Sequence, residues 1–279
     1  MTLPVFGRGA DPGPDFTALL RALGITSPGL VAGDPGSGPT PKVPHGTTIC
    51  AIRHAEGVIM AGDRRATAGN IIAHRSMEKI YPADRYSGVA IAGAAGAAME
   101  MVKLFQLQLE HYEKLEGVTL SFEGKANFLA QMVRQNLPAA MQMGLVVVPL
   151  FAGYDLRRKR GRIFTFDVSG GRYEESDHQA EGSGGRDART TIKLGWREGM
   201  TADQTIDLAI AALWEAADED SATGGPDPIR GIYPMVANIT ESGFAEVPEA
   251  TVAQRFTALL AQKSPVPVAP APARGAKKS

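Results

Sequence analysis

The reading turns on Pro44-His45-Gly46-Thr47-Thr48-Ile49-Cys50-Ala51-Ile52-Arg53-His54-Ala55-Glu56-Gly57-Val58-Ile59-Met60-Ala61-Gly62-Asp63-Arg64-Arg65. Thr48 to His54 and Gly57 to Asp63 are short apolar runs rich in β-branched residues. Joined at Ala55-Glu56, they predict a β-hairpin. Pairing about that turn sets Thr47 opposite Asp63 and Arg64, at the open end of the hairpin. A threonine therefore stands beside a carboxylate at the start of a strand, directly after a glycine.

Upstream the composition changes. Pro4, Gly7, Gly9, Pro12, Gly13 and Pro14, then Gly33 through Pro44, describe a segment that cannot bury a core and is expected to be disordered. One island interrupts it: Phe16, Leu19, Leu20 and Leu23 share a helical face, with Asp15 as N-cap and Gly24 as stop. The other end, from Ser264, repeats Pro and Ala, ends in Lys277-Lys278, and is also expected to be disordered.

Downstream, a strand is predicted over Tyr86–Ala92. Two long helices follow, over Ala97–Glu116 with a stop at Gly117, and from Ser121 with Pro138 marking a kink or an end. Strands are predicted over Leu145–Tyr154 and Arg162–Val168. Helices are expected over Arg186–Leu194 and from the capping box Thr201-Ala202-Asp203-Gln204 through Trp214 toward Asp220. A last hairpin, Ile232–Val247, turns at Glu241-Ser242-Gly243, and a final helix covers Ala250–Gln262. Helices arriving in pairs argue against a βαβ repeat. Two sheets packed face to face, each covered by helices, satisfy every apolar face.

The 279 residues are 44% hydrophobic and 21% charged, with a formal net charge of -1, so nothing points to nucleic acid or a membrane surface. The basic run Arg157-Arg158-Lys159-Arg160 reads as a hairpin loop. Cys50 is the one cysteine and sits inside a strand, which excludes a disulfide framework and a thiolate metal site. The five histidines show no ligand spacing. No secretory signal is visible and no cofactor is expected, so a cytoplasmic protein is the expectation.

A threonine hydroxyl is a weak nucleophile until a base activates it. A threonine at a chain terminus carries its own base, an α-amine with a reference pKa of about 7.7–8.0, close to the pH at which general-base catalysis is efficient. That amine exists only once the bond after Gly46 is cut, and glycine there gives the backbone freedom to bring the Thr47 hydroxyl onto the preceding carbonyl. Asp63 needs a cation, and Lys79 in Met77-Glu78-Lys79-Ile80 can supply it. An ammonium near Thr47 favours the alkoxide and lowers the amine pKa. Gly93, between a strand and a helix, offers a backbone amide to a developing oxyanion. Ser183, within Glu181-Gly182-Ser183-Gly184-Gly185, does not fit a G-x-S-x-G elbow.

With Gly46-Thr47-Thr48-Ile49, Ala61-Gly62-Asp63-Arg64-Arg65 and Met77-Glu78-Lys79-Ile80, the sequence resembles proteasome β subunits of the actinobacterial type. Leu109-Glu110-His111-Tyr112-Glu113-Lys114-Leu115-Glu116-Gly117 and Asp220-Ser221-Ala222-Thr223-Gly224-Gly225 extend the resemblance, which covers roughly Gly46 to Gln262. It implies an α+β fold, the four-layer αββα sandwich of N-terminal-nucleophile hydrolases. Residues 1–46 become a propeptide removed by autocatalytic cleavage between Gly46 and Thr47, 47–263 the catalytic domain, and 264–279 a disordered tail.

The resemblance further implies a threonine endopeptidase in which Thr47 is nucleophile and, through its amine, base. Asp63 and Lys79 form the tuning charge pair, Gly93 is the oxyanion donor, and Ser183, Asp220 and Thr223 support the amine. Many relatives carry serine where this chain has Thr223, but the hydroxyl is kept. Backbone groups of Thr67 and Ala95 hold the substrate as an added strand. Ala66, Met77, Ile91, Ala95 and Met99 line the pocket for the residue before the cut and imply an apolar preference. The implied partners are a separate proteasome α subunit and further copies of the chain, forming heptameric β rings in an α7β7β7α7 particle. A ring ATPase delivers substrates bearing a ubiquitin-like tag. Competing readings are a hexameric two-component bacterial protease, a non-catalytic ring subunit and a small-molecule amidase of the same mechanistic class. The long leader, the Asp-Arg-Arg run and the presence of Thr47, Asp63 and Lys79 favour the catalytic proteasome subunit.

Overall fold

The computed structural model describes residues 46–263. The helix expected at 15–24 and the tail expected from 264 lie outside the described residues. The chain runs through strands β1 (Thr48–His54), β2 (Gly57–Gly62), β3 (Ala66–Ala68), β4 (Ile71–His74), β5 (Ile80–Asp84) and β6 (Ser87–Gly93). Helices α1 (Ala95–Glu116) and α2 (Phe122–Met143) follow, then β7 (Val147–Asp155), β8 (Arg160–Phe166), β9 (Arg172–Glu175) and β10 (His178–Gly182). Helices α3 (Gly185–Gly195) and α4 (Ala202–Glu219), strands β11 (Met235–Thr240) and β12 (Gly243–Glu246), and helix α5 (Glu249–Lys263) complete it.

Two five-stranded antiparallel sheets result, in the orders β10-β1-β2-β11-β12 and β5-β6-β7-β8-β9, with β3 and β4 as a separate small hairpin. Each strand sends alternate side chains to opposite faces. In β1 and β2 both faces are covered, so the strands read as unbroken apolar runs. Ile49, Ala51, Val58 and Met60 point between the sheets, where they meet Ile80, Ala90, Leu150, Ile163 and Ile239. Cys50, Ile52, Ile59 and Ala61 point the other way and pack with Ile192, Ile210, Leu213 and Phe256 of α3, α4 and α5. The second sheet buries Val89, Ile91, Phe151 and Phe164 under Phe105, Phe122 and Leu129 of α1 and α2. This is the expected αββα order.

The hairpin register is the expected one: Ile49 pairs with Gly62 and His54 with Gly57. Gly117 caps α1 and Ser121 caps α2, its hydroxyl accepting from the Gly124 N–H. Both halves of the Thr201–Gln204 capping box form. Two expectations need correction. Helix α2 continues past Pro138 to Met143, so the end expected there as the alternative to a kink does not occur. Pro138 and Arg134 both face solvent, so water can satisfy the Arg134 carbonyl that loses its helical partner. The strand expected from Ile232 starts at Met235, because Ile232 instead bridges to Asp227 across a loop. The run 156–159 forms the β7–β8 turn, as expected.

β5, β9 and β10 were not expected as strands. Each is a sheet edge. β5 contains Pro82, which an edge tolerates. β9 and β10 carry polar, partly exposed residues and so lack an apolar run. Among the described residues no helix is long and apolar enough to cross a membrane.

Candidate active site

Three strand ends meet at one end of the first sheet: the residue before β1, the residue after β2 and the residue after β10. These are Thr47, Asp63 and Ser183. The Asp63 N–H donates to the Thr48 carbonyl at 3.0 Å, extending the hairpin by one rung. The Asp63 side chain is fully buried. Its Oδ1 accepts from the Thr48 N–H at 2.8 Å and from Lys79 Nζ at 2.6 Å. Its Oδ2 accepts from the backbone N–H groups of Arg65 at 2.9 Å and Gly224 at 2.8 Å. Four donors on one buried carboxylate replace the water it has lost.

Lys79 enters from the second sheet, one residue ahead of β5, and is 1% exposed. Besides Asp63 its ammonium donates to the Arg65 carbonyl at 2.6 Å and, at 3.5 Å, toward the Gly46 carbonyl. Burial pushes the Lys79 pKa down, the Asp63 carboxylate opposes this, and the balance stays below the ordinary lysine value.

The Thr47 hydroxyl donates to the Gly46 carbonyl oxygen at 2.6 Å. The Thr47 side chain thus touches the carbonyl oxygen of the peptide bond that precedes it. Gly46 is needed there for space. A Cβ on it would lie 2.5 Å from Thr67 Oγ1, 2.8 Å from Ala222 Cβ and 2.9 Å from the Ala222 carbonyl. The sequence argument rested on backbone freedom, whereas the packing supplies a steric reason.

On the other side of Thr47, its N–H donates to Ser183 Oγ at 3.3 Å, and the Ser183 N–H donates to the Thr47 carbonyl at 2.8 Å. Ser183 Oγ donates to Asp220 Oδ2 at 2.5 Å, and Thr223 Oγ1 donates to the same oxygen at 2.6 Å. Asp220 caps the C-terminus of α4 and also accepts from the Ala222 N–H. Burial works to raise its pKa, but the bonds from Ser183, Thr223 and Ala222 prevail and hold it below the ordinary value, helped by the Arg65 charge.

Hydrogen bonds therefore join Thr47, Ser183, Asp220 and Thr223 on one side and Asp63 and Lys79 on the other. Gly46 and Thr67 abut the cluster. The remaining expected residues make no hydrogen bond to Thr47 among the described residues. Gly93 ends β6 with φ 110°, a conformation suited to glycine, and a Cβ there would stand 2.2 Å from the Val146 carbonyl. Ile91 donates its N–H to the Lys79 carbonyl at 3.0 Å while its side chain lies in the core beneath α1. Ala66 and Met77 are half-buried, and Ala95 and Met99 are exposed on the first turns of α1.

Four participants escaped the sequence reading: Thr48, Arg65, Gly184 and Gly224. Thr48 carried a signal, since alternation along β1 sends its side chain to the face opposite Thr47. Gly184 and Gly224 act through backbone atoms, which leave no mark in a sequence, and Arg65 acts both through its backbone and through its charge. Cys50 is fully buried, and burial pushes its thiol up to about 12, so it is an inert core residue as expected.

The sequence model described as "Proteasome subunit" matches residues 43–229. The chain is 62% identical over 251 residues to the proteasome subunit beta of Acidimicrobium ferrooxidans, covering 90% of each chain. It is 52% identical over 256 residues to the proteasome subunit beta of Acidothermus cellulolyticus, covering 88% of each. With the proteasome subunit beta of Streptomyces griseus it shares 50% over 260 residues, 92% of each. Sandwich architecture, the buried cluster around Thr47 and these likenesses agree: the chain belongs to the proteasome family, as one of its β subunits.

Proposed function

We propose that the chain is the precursor of a catalytic proteasome β subunit, a threonine endopeptidase that activates itself by cutting its own Gly46–Thr47 bond. The contact of the Thr47 hydroxyl with the Gly46 carbonyl, 2.6 Å, is the observation that carries this reading. In the first step Thr47 Oγ attacks the Gly46 carbonyl carbon. The C–N bond breaks, the hydroxyl proton passes to the leaving nitrogen, and an ester links Gly46 to Thr47 Oγ. Water then hydrolyses that ester, leaving a carboxylate on Gly46 and a free amine and hydroxyl on Thr47.

The freed amine is the base for later turnovers. It takes the Thr47 hydroxyl proton as Oγ attacks a substrate carbonyl, returns it to the departing peptide amine, and then activates the water that releases the acyl group. Lys79, anchored by Asp63 and the Arg65 carbonyl, places positive charge beside the developing alkoxide. The Gly93 amide, two residues ahead of α1, donates to the oxyanion, with the helix N-terminus adding positive potential. Ser183, Asp220 and Thr223 orient the amine.

Substrate lies as an added strand against the backbone of Thr67 and Ala95. Ala66, Met77, Ile91, Ala95 and Met99 favour an apolar residue before the cut. Peptide assays showing a strong preference for acidic residues there would overturn that specificity. The particle is read as α7β7β7α7, with propeptide 1–46, a separate α subunit, an ATPase ring and tagged substrates, working in the cytoplasm on protein degradation.

The test is the intact mass of the chain after co-expression with an α subunit, beside a Thr47→Ala control. Loss of residues 1–46 in the wild type alone is the expected result. If both chains stay full length in assembled particles, the ring-building reading replaces the catalytic one.

A further inference from the structure

Thr48 is fully buried and belongs to both halves of the cluster. Its N–H donates to Asp63 Oδ1 at 2.8 Å. Its hydroxyl accepts from the Gly184 N–H at 3.1 Å and lies 2.6 Å from Thr223 Oγ1. The direction of that last bond follows by elimination. A hydroxyl has one proton, and Thr223 donates its proton to the Asp220 carboxylate. Thr48 must therefore be the donor to Thr223. The chain runs one way, from Gly184 N–H through the Thr48 and Thr223 hydroxyls to Asp220.

The same count fixes Ser183. Two acceptors compete for its proton, Asp220 Oδ2 at 2.5 Å and the Thr47 carbonyl at 3.3 Å; the shorter, charge-assisted bond to Asp220 wins, and Ser183 Oγ then accepts from the Thr47 N–H. Asp220 must stay ionised for this polarity to hold. Arg65 and Lys79 are the cations whose charges reach it.

We infer that Thr48 is a positioning residue for the reaction: through its hydroxyl it polarises the Thr223–Asp220 chain that keeps Ser183 an acceptor toward the Thr47 nitrogen, and through its N–H it holds Asp63 against Lys79. This rests on the reading of Thr47 as nucleophile. Removing the hydroxyl strands the buried Gly184 N–H and frees Thr223 to rotate. The Asp220 carboxylate then loses stabilisation and titrates at higher pH.

The experiment uses particles assembled from the full chain with its α subunit, carrying Thr48→Val, Thr48→Ser, Thr223→Val or the Thr48→Val/Thr223→Val pair. The readouts are leader removal by intact mass, and kcat and KM for a fluorogenic peptide across pH. For Thr48→Val kcat should fall about tenfold, with KM little changed and the acid limb of the kcat profile moved to higher pH. Thr48→Ser should recover most of the rate and the original limb. The pair should be no worse than the more severe single change, because both cut one chain.

A Thr48→Val particle with the wild-type rate and limb overturns the inference, as does a loss that Thr48→Ser fails to rescue. If Thr48→Val does not assemble, Thr223→Val decides: an unmoved acid limb overturns the inference and a raised one supports it. A Thr47→Ala particle that still hydrolyses peptide defeats the nucleophile reading and this inference with it. An inert Thr47→Ala beside an unaltered Thr48→Val defeats the positioning role alone.

Discussion

Among the described residues three buried cations meet carboxylates: Lys79, Arg162, and Lys125 with Asp84. The first two differ most in what surrounds the charge. Lys79 stands at the Thr47 end of the sandwich with one carboxylate, Asp63, and a carbonyl. Arg162 stands at the other end of the second sheet, opposite Gly153 in β7, and is 2% exposed. It donates to Asp155, Glu123 and Glu174, and its guanidinium lies over the rings of Phe122 and Phe164. Burial alone lowers the pKa of either cation. Three carboxylates overcome this and raise Arg162, whereas one carboxylate does not, and Lys79 stays lowered. The first arrangement locks a charge in place. The second leaves an ammonium ready to respond to charge that develops beside it.

The sharpest way to break this comparison is to remove both cations in turn. Lys79→Met should abolish leader removal, read by intact mass, and destabilise the chain by about 3–5 kcal/mol because Asp63 is left buried and unpaired. Arg162→Met should cost a similar amount in a urea titration, reduced by the partial exposure of Glu123 and Glu174, and should leave leader removal intact in every particle that assembles. Failure of Arg162→Met to process in a folded particle would mean the two clusters are not separable in function.

A smaller effect is expected from Gly46→Ala. The added methyl must displace Thr67 Oγ1 or the backbone at Ala222, moving the reacting carbonyl by a fraction of an ångström while leaving the charge pair in place. Leader removal should slow by about a hundredfold, followed as a time course of the mass shift, with stability lowered by about 1–3 kcal/mol through the overpacking. Wild-type processing would place the alignment of Thr47 elsewhere than in this contact.

These clusters were unequally legible in the sequence. The hairpin pairing alone put Asp63 beside Thr47, because the register of two apolar strands about a short turn is a local matter. The need of Asp63 for a cation pointed to Lys79 and the resemblance singled it out, but its reach from the opposite sheet was not legible. No local rule tells which side chain crosses between two sheets. The chain from Gly184 through Thr48 and Thr223 to Asp220 joins segments far apart in sequence, and one of its three bonds starts at a backbone amide. β9 and β10 were illegible for a related reason. Their pairing comes from central strands that need partners, not from any apolar pattern of their own. Helices α1 and α4 were read nearly whole, since caps and 3.6-residue periodicity are written within each segment.

The smallest effect concerns pH and sharpens the contrast from the structural side. Burial works to raise Asp155, yet its bonds from Arg162, Arg158 and Arg157 hold it below the ordinary 3.8, and Arg162 likewise holds Glu174 below 4.5. For a carboxylate whose folded pKa is depressed, the unfolded chain takes up protons first. The stabilisation is therefore complete above the unfolded values and is lost as pH falls from about 4.5 through the lowered folded values. Without Arg162 these carboxylates lose the largest cause of their depression and have less of that stabilisation to lose. The stability gap between the wild type and Arg162→Met, measured by urea titration, should be widest near neutrality and narrow by roughly 1 kcal/mol as the medium is acidified through this window. A gap that stays constant would show that Arg162 acts by packing on Phe122 and Phe164, so that the difference between the two buried cations lies in shape and not in the number of carboxylates around them.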